Sequence, residues 1–301
     1  MPVANVAALL VDARCRLGEG IVWCEQRQCL WWTDIQQSRL WQYHPQSGCS
    51  RHWAMPDRLG SLALCSSGGL LLGLAKGLHY LSPEALDADP LPAPELLAAV
   101  EPAQPQLRLN DGRCDRDGNF VFGTLNEDPA RQQLGTFYQY SRRHGLRRLA
   151  LGGVAIPNSL CFDPDGKHLY YCDSLQGTIL RVAYDADSAT VGEPQLFAQV
   201  AADASPDGAA IDADGRLWSA RWGAGEVVCH DRDGSVQHVV KVPVQQPTCV
   251  CFGGPELDTL YITSAWDELD DAALAQQPQA GGVFALRLDG VRGLAESRFA
   301  A

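Results

Sequence analysis

The chain has 301 residues, 46% of them hydrophobic and 20% charged, a balance that excludes extended disorder and suits a packed globular protein. Its formal net charge of −12 argues against a nucleic-acid partner, because an acidic surface repels phosphate backbones. No run approaches the roughly 18 apolar residues a membrane helix needs, so no membrane partner is expected either.

The first expected element is an apolar strand over residues 6–11. It ends at Asp12 and has no basic residue before it, so it reads as a strand and not as a signal peptide. A cytoplasmic location follows as the expectation. Eleven cysteines with no C-x-x-C pair, and seven histidines without zinc spacing, fit reduced thiols packed as small hydrophobes.

From Leu17 onward the chain repeats a strand, a Gly- or Asp-rich turn and another strand. Leu17-Gly18-Glu19-Gly20 opens the first unit, with Leu30-Trp31-Trp32-Thr33-Asp34 behind it, and Leu59-Gly60-Ser61 opens the second. Short helices are predicted at Pro83–Leu86, at residues 270–276 and at residues 95–100. Leu109-Asn110-Asp111-Gly112 leads into Asp115-Arg116-Asp117-Gly118, and Pro157-Asn158-Ser159-Leu160 into Asp163-Pro164-Asp165-Gly166. Pro206-Asp207-Gly208 and Pro247-Thr248-Cys249 open the last two units. The clusters Arg142-Arg143 and Arg147-Arg148 read as a solvated hairpin.

Glu19, Ser61, Asn110, Asn158, Asp207 and Thr248 recur at intervals of 41–49 residues. A repeat of that length holding four strands has the size of a propeller blade. The expected fold is therefore all-β, a single six-bladed β-propeller domain over residues 1–301, with four-stranded antiparallel blades around a central channel. Closing the ring removes exposed blade faces, and pairing residues 6–11 with the strand near residues 282–288 would achieve it.

Equivalent positions of successive blades converge on the channel. Glu19, Asn110, Asn158 and Asp207 would thus form a cage of carboxylate and amide oxygens, the donor set preferred by Ca²⁺, Mg²⁺ and Mn²⁺. One such residue alone reads as a turn former bonding its own backbone; four in register favour a site. The D-x-D-G segments place Gly at the fourth position between strands, which fits hairpin turns and not calcium loops. No G-x-S-x-G, H-E-x-x-H or phosphate-loop motif is present. Arg108 stands two residues before Asn110, on the same face of an extended segment. Trp222 and Trp266 read either as lining the mouth of the channel or as rim or core packing.

Leu17-Gly18-Glu19-Gly20 with Trp23, Arg108-Leu109-Asn110-Asp111-Gly112, Gly123-Thr124-Leu125, Pro157-Asn158-Ser159-Leu160, Tyr170-Tyr171-Cys172-Asp173-Ser174 and Pro206-Asp207-Gly208 together resemble the SMP-30/gluconolactonase/regucalcin family over residues 17–299. Arg58-Leu59-Gly60-Ser61 and Gly73-Leu74-Ala75-Lys76-Gly77 are similar to its bacterial sugar lactonases. The resemblance implies one divalent metal ion bound by Glu19, Asn158 and Asp207, with Ca, Mg, Mn, Zn and Fe all open. It also implies a small-molecule sugar lactone as substrate, contacted by Arg108, Asn110 and Asp128. The chemistry of ester hydrolysis then makes Asp207 the candidate catalytic residue, as general base toward water, with metal-bound hydroxide as the alternative nucleophile. A propeller hydrolase of non-sugar lactones or phosphotriesters, and a non-catalytic calcium-binding propeller, stay open as alternatives. Which lactone is used and the oligomeric state are left undetermined by these residues.

Overall fold

A computed structural model describes residues 5–301. Six antiparallel sheets radiate from a common axis as a six-bladed β-propeller. Their innermost strands are Gly18–Cys24, Leu59–Leu64, Leu107–Cys114, Pro157–Phe162, Ser205–Ile211 and Pro247–Gly253. Each packs against the next, and the sixth packs against the first. The strands are mostly four to eight residues of β-branched, aromatic and leucine side chains, and the innermost are buried almost throughout. Sheet faces meet in apolar layers such as Val121, Phe137, Leu160 and Phe162 between the third and fourth blades.

Closure joins the two ends of the chain. The last blade runs, from outside to inside, Ala8–Val11, Val283–Arg287, Thr259–Ser264 and Pro247–Gly253. The N-terminal strand supplies the outer edge, with Ala8 opposite Ala285 and Val11 opposite Val283. It is shorter than the expected 6–11, and Val6 makes a separate parallel bridge to Lys241 of the fifth blade.

Two aspartates at equivalent strand ends grip the loops that lead into inner strands. Asp34 accepts hydrogen bonds from the backbone N–H groups of Arg16 (2.8 Å), Leu17 (3.1 Å) and Gln37 (3.2 Å). Asp173 does the same for Ala155 (2.9 Å), Ile156 (3.1 Å) and Leu175 (3.3 Å). In this way each carboxylate satisfies several loop donors that would otherwise be buried unpaired.

Each inner strand carries a bulge near its start. In the third blade Leu109 pairs with Thr124 and Gly112 with Phe122, so Asn110 and Asp111 face a single residue, Gly123. In the fourth, Ser159 and Leu160 lie between the pairs Asn158–Cys172 and Cys161–Tyr170. The irregularity recurs between Glu19 and Val22, Leu59 and Ser61, Pro206 and Ala209, and Pro247 and Val250. Gly20 (φ 57°) and Ser159 (φ 58°) adopt the left-handed conformation immediately after Glu19 and Asn158. Such an inserted residue bends the strand and re-aims the neighbouring side chain. At Gly208 the inner strands of adjacent blades come so close that a Cβ would stand 2.6 Å from Cys249 Sγ.

Pro83–Leu86 is helical with Ser82 as its N-cap, and Asp271–Gln276 is helical with Asp270 as its N-cap, in line with expectation. Residues 95–100 are not a helix. Glu95–Ala99 is the outer strand of the second blade, paired with residues 77–80. Its helix-forming composition is overridden by the open edge of that sheet, and the prolines before it deny the segment a preceding helical turn. The arginine clusters do flank a hairpin, between Phe137–Ser141 and Gly145–Arg148. Asp115 and Asp212 accept backbone N–H bonds within their turns, as hairpin residues do. All eleven cysteines are unpaired and all but Cys49 are buried.

Deleting residues 1–11 should expose the edge of Val283–Arg287 and lose the burial of Ala7 and Val11, a destabilisation of about 2–4 kcal/mol. Denaturant melts and size-exclusion chromatography check this. An unchanged midpoint and elution volume would mean that the ring does not depend on this closure.

Candidate active site

The bulges turn four marker residues toward the axis, where they meet at the floor of a cavity of about 300 Å³. Glu19, Asn110, Asn158 and Asp207 all line it, together with Arg108, and each of the five is at most 8% exposed. They come from the first, third, fourth and fifth blades.

The polar groups form a directed relay. Arg108 Nη1 donates to Asn110 Oδ1 (2.7 Å) and to the Leu109 carbonyl (2.9 Å). Asn110 Nδ2 donates to Asn158 Oδ1 (3.0 Å) and to the Pro157 carbonyl (2.9 Å). Asn158 Nδ2 donates to Ser174 Oγ (2.9 Å), which in turn donates to the Pro206 carbonyl (2.8 Å), next to Asp207. A guanidinium has only donors, so it fixes which end of the first amide faces it, and that choice sets every later one. Burial pushes Arg108 down to about 10, against the pull of Glu127.

The carboxylates have only backbone N–H donors, Gly20 N at 3.1 Å for Glu19 being one, and no cationic side chain among the described residues. The Glu19 and Asp207 side chains lie within hydrogen-bonding reach of each other, and Asp111 stands behind them. Burial pushes both well above the usual carboxylate range; the charges of Asp207 and Asp111 raise Glu19 further, and Asp111 raises Asp207, which the contact with Glu19 pulls the other way. Asp111 is also pushed up by burial, while its oxygens accept from Gly112 N and Leu160 N, both at 2.9 Å. Among the described residues no lysine, arginine or histidine forms an ion pair with Glu19, Asp111 or Asp207. Two adjacent buried carboxylates without a counter-charge are costly. Two carboxylates and an amide oxygen on one axis are the donor set of a hard divalent cation, and Glu19, Asn158 and Asp207 are the residues able to hold it.

Asp128 does not join this set. After Asn126 the chain turns outward, Asn126 Oδ1 accepts from the Asp128 N–H (3.1 Å), and the Asp128 side chain faces solvent. The neighbouring acid takes the inner place: Glu127 lies 3.4 Å from Arg108 Nε and pairs with both Nη atoms of Arg58, the longer contact being 2.8 Å. Partial burial pushes Glu127 up, but Arg58 and Arg108 hold it below the ordinary carboxylate range. Four further residues at or beside the site lie outside the repeat pattern. Ser174, in the 3₁₀ turn Ser174–Gln176, closes the relay. Lys76 donates to the carbonyls of Gln104 (3.1 Å), Pro105 (2.8 Å) and Leu107, and so fixes the entry to the strand bearing Arg108. Arg131 and Trp222 line the cavity wall. A second acidic group, Asp163, Asp165 and His168, lies in an exposed hairpin turn outside the cavity.

Fold and site together define a six-bladed β-propeller with a polar cavity on its axis. The chain belongs to the SMP-30/Gluconolactonase/LRE-like family, whose characteristic region matches residues 17–266. It is 40% identical over 301 residues to an L-arabinolactonase of Azospirillum brasilense, covering 99% of this chain and 96% of that one. It is 35% identical over 286 residues to a 6-deoxy-6-sulfogluconolactonase of Pseudomonas putida, covering 94% and 95%. Among solved structures, a calcium-binding regucalcin from Agrobacterium tumefaciens superposes with a TM-score of 0.90 at 30% identity, covering 99% of this chain and 98% of that one.

Asp207→Asn removes one of the two crowded charges. In chelated protein it should raise the melting temperature by about 2–4 °C for each kcal/mol of repulsion relieved. A lower melting temperature than the wild type would contradict the crowding described above. Ser174→Ala leaves Asn158 Nδ2 without its acceptor and the Pro206 carbonyl with only the Cys172 thiol at 3.6 Å, and should cost about 1–3 kcal/mol in a urea melt. A neutral result would show that the relay does not end there.

Proposed function

We propose that this chain hydrolyses a sugar lactone to the aldonic acid, a pentono- or hexonolactone such as arabinono-, glucono-, galactono- or xylonolactone. One divalent metal ion, held by Glu19, Asn158 and Asp207, serves the reaction, and the 1–301 chain works as one propeller domain. The observation that carries this reading is the pair of buried, uncompensated carboxylates beside an amide–guanidinium relay in one cavity. The relatives named arabinolactonase and sulfogluconolactonase support the substrate class. The calcium-binding neighbour supports the cation. Eleven unpaired thiols accord with a cytoplasmic location.

A lactone is a cyclic ester, and attack by water places negative charge on its carbonyl oxygen. The cation, when bound, supplies Lewis acidity that polarises this carbonyl and stabilises the charge. Asp207 takes the proton of the attacking water and returns it to the ring oxygen as the C1–O bond breaks. Arg108 and Asn110 orient the substrate from the wall formed by the third blade. Arg108 donates to sugar oxygens, and its fixed charge opposes the excess of carboxylates on the floor. Glu127, itself paired with Arg58, holds Arg108 in place.

The test is hydrolysis of a pentono- and hexonolactone panel, followed by proton release. Enzyme is assayed after chelation and after each of Ca²⁺, Mg²⁺, Mn²⁺, Zn²⁺ and Fe²⁺ is restored. Chelated enzyme should lose activity, one or more metals should restore it, and Asp207→Asn should lower kcat by at least about 10³-fold. A protein that binds the cation but opens no lactone faster than water does would reverse the assignment in favour of a binding propeller.

A further inference from the structure

We infer that Arg131 is a specificity-determining residue, one that recognises the hydroxyl-bearing part of the lactone remote from the reacting ester. The inference rests on the lactonase reading above.

Arg131 lines the same cavity as Glu19, Asn158 and Asp207. Among the described residues its side chain makes one hydrogen bond, Nη1 to the Asn126 carbonyl at 2.7 Å, and no ion pair. A guanidinium has five N–H donors, so four remain for whatever enters the cavity. Its backbone sits at φ 47°, in the left-handed region that a long side chain seldom adopts. That conformation is imposed by the loop. Fully buried Asn126 holds the loop through Asp128 N (3.1 Å) and the Gln132 carbonyl (2.9 Å). Arg131 N donates to the Asp128 carbonyl (2.8 Å), and Gln133 Nε2 reaches Asp173 Oδ2 (3.1 Å). The loop is thus anchored to Asn126, at the end of the third blade's second strand, and to Asp173, which precedes Ser174. Local strain held in place by several bonds beside a reacting centre marks a position kept for function.

The chemistry of the walls identifies what it meets. Leu125, Ile156, Leu175 and Trp222 supply apolar surface and, apart from the Trp222 indole N–H, no polar side-chain group. Across the cavity Glu268 offers an acceptor, while Asp267 is engaged by Arg16 (2.8 Å) and Gln36 (3.1 Å). A wall of donors facing an acceptor suits a polyol, whose hydroxyls accept from one side and donate to the other. Two adjacent hydroxyl oxygens match the fork of a guanidinium, whereas a lysine would offer only a point charge. An unsubstituted lactone has nothing for Arg131 to bind.

The experiment compares kcat/KM for a pentonolactone with kcat/KM for γ-butyrolactone in wild type, Arg131→Gly and Arg131→Lys. Glycine accepts φ 47° without strain, so Arg131→Gly should fold with a melting temperature close to the wild type. Its pentonolactone-to-butyrolactone ratio should fall about tenfold, mostly through the KM of the pentonolactone, and Arg131→Lys should recover part of it. A ratio unchanged within twofold, or an equal loss on both lactones, would overturn the role of Arg131 while leaving the lactonase reading intact. A wild type that opens neither lactone would overturn both.

Discussion

Two residues where the neighbouring strand has one: this defect, set near the start of almost every inner strand, governs the rest of the molecule. A regular strand alternates its side chains between the two faces of its blade. The bulges at Glu19–Val22, Leu109–Gly112, Asn158–Cys161 and Pro206–Ala209 break the alternation where the blades converge. Polar side chains are thereby delivered to the axis, while the residues after the bulge return to the apolar layers between blades. Without the ring there would be no convergence, and without the bulges the ring would enclose only a core.

What is delivered is an unbalanced set of charges. Arg108 begins a relay in which every amide is oriented, ending at the carbonyl beside Asp207. Beside it, Glu19 and Asp207 are buried together with Asp111 behind them. Both amides of the relay are paired from within the protein, with Arg108 Nε left without a hydrogen bond, whereas the acid pair has backbone N–H donors and no counter-charge among the described residues. This contrast separates the scaffold of the site from the part proposed to receive a cation, and it explains why the two amides stand where they do. One side of Asn158 is fixed by Ser174, the other by Asn110.

The propeller and the four floor residues were legible because a repeat places equivalent positions at equivalent depths; spacing gave six positions, and the carboxylate or amide side chain separated Glu19, Asn110, Asn158 and Asp207 from Ser61 and Thr248, which do not line the cavity. Arg108 was legible from its two-residue offset on an extended segment. Residues that act from loops carry no such periodicity. Asp128 was expected at the site, yet one side-chain bond from Asn126 to its N–H turns it to solvent and leaves Glu127 facing Arg108. Arg131 belongs to the same loop, and its position depends on a backbone conformation that composition does not announce. The segment at residues 95–100 failed for the opposite reason: local propensity favoured a helix, and the unpaired edge of the second blade required a strand. Ser174 was visible as part of a family motif, but its function depends on a carbonyl in the next blade, a contact across 32 positions of the chain.

The central claim is that the crowded carboxylates form a cation site, and a crystal structure grown with Ca²⁺ or Mn²⁺ addresses it most directly. Density should appear between Glu19, Asn158 and Asp207, with oxygen distances of roughly 2.1–2.6 Å and an anomalous signal for Mn²⁺. Glu19 and Asp207 sharing a proton with no ion between them, or the ion found instead at Asp163, Asp165 and His168, would contradict the account.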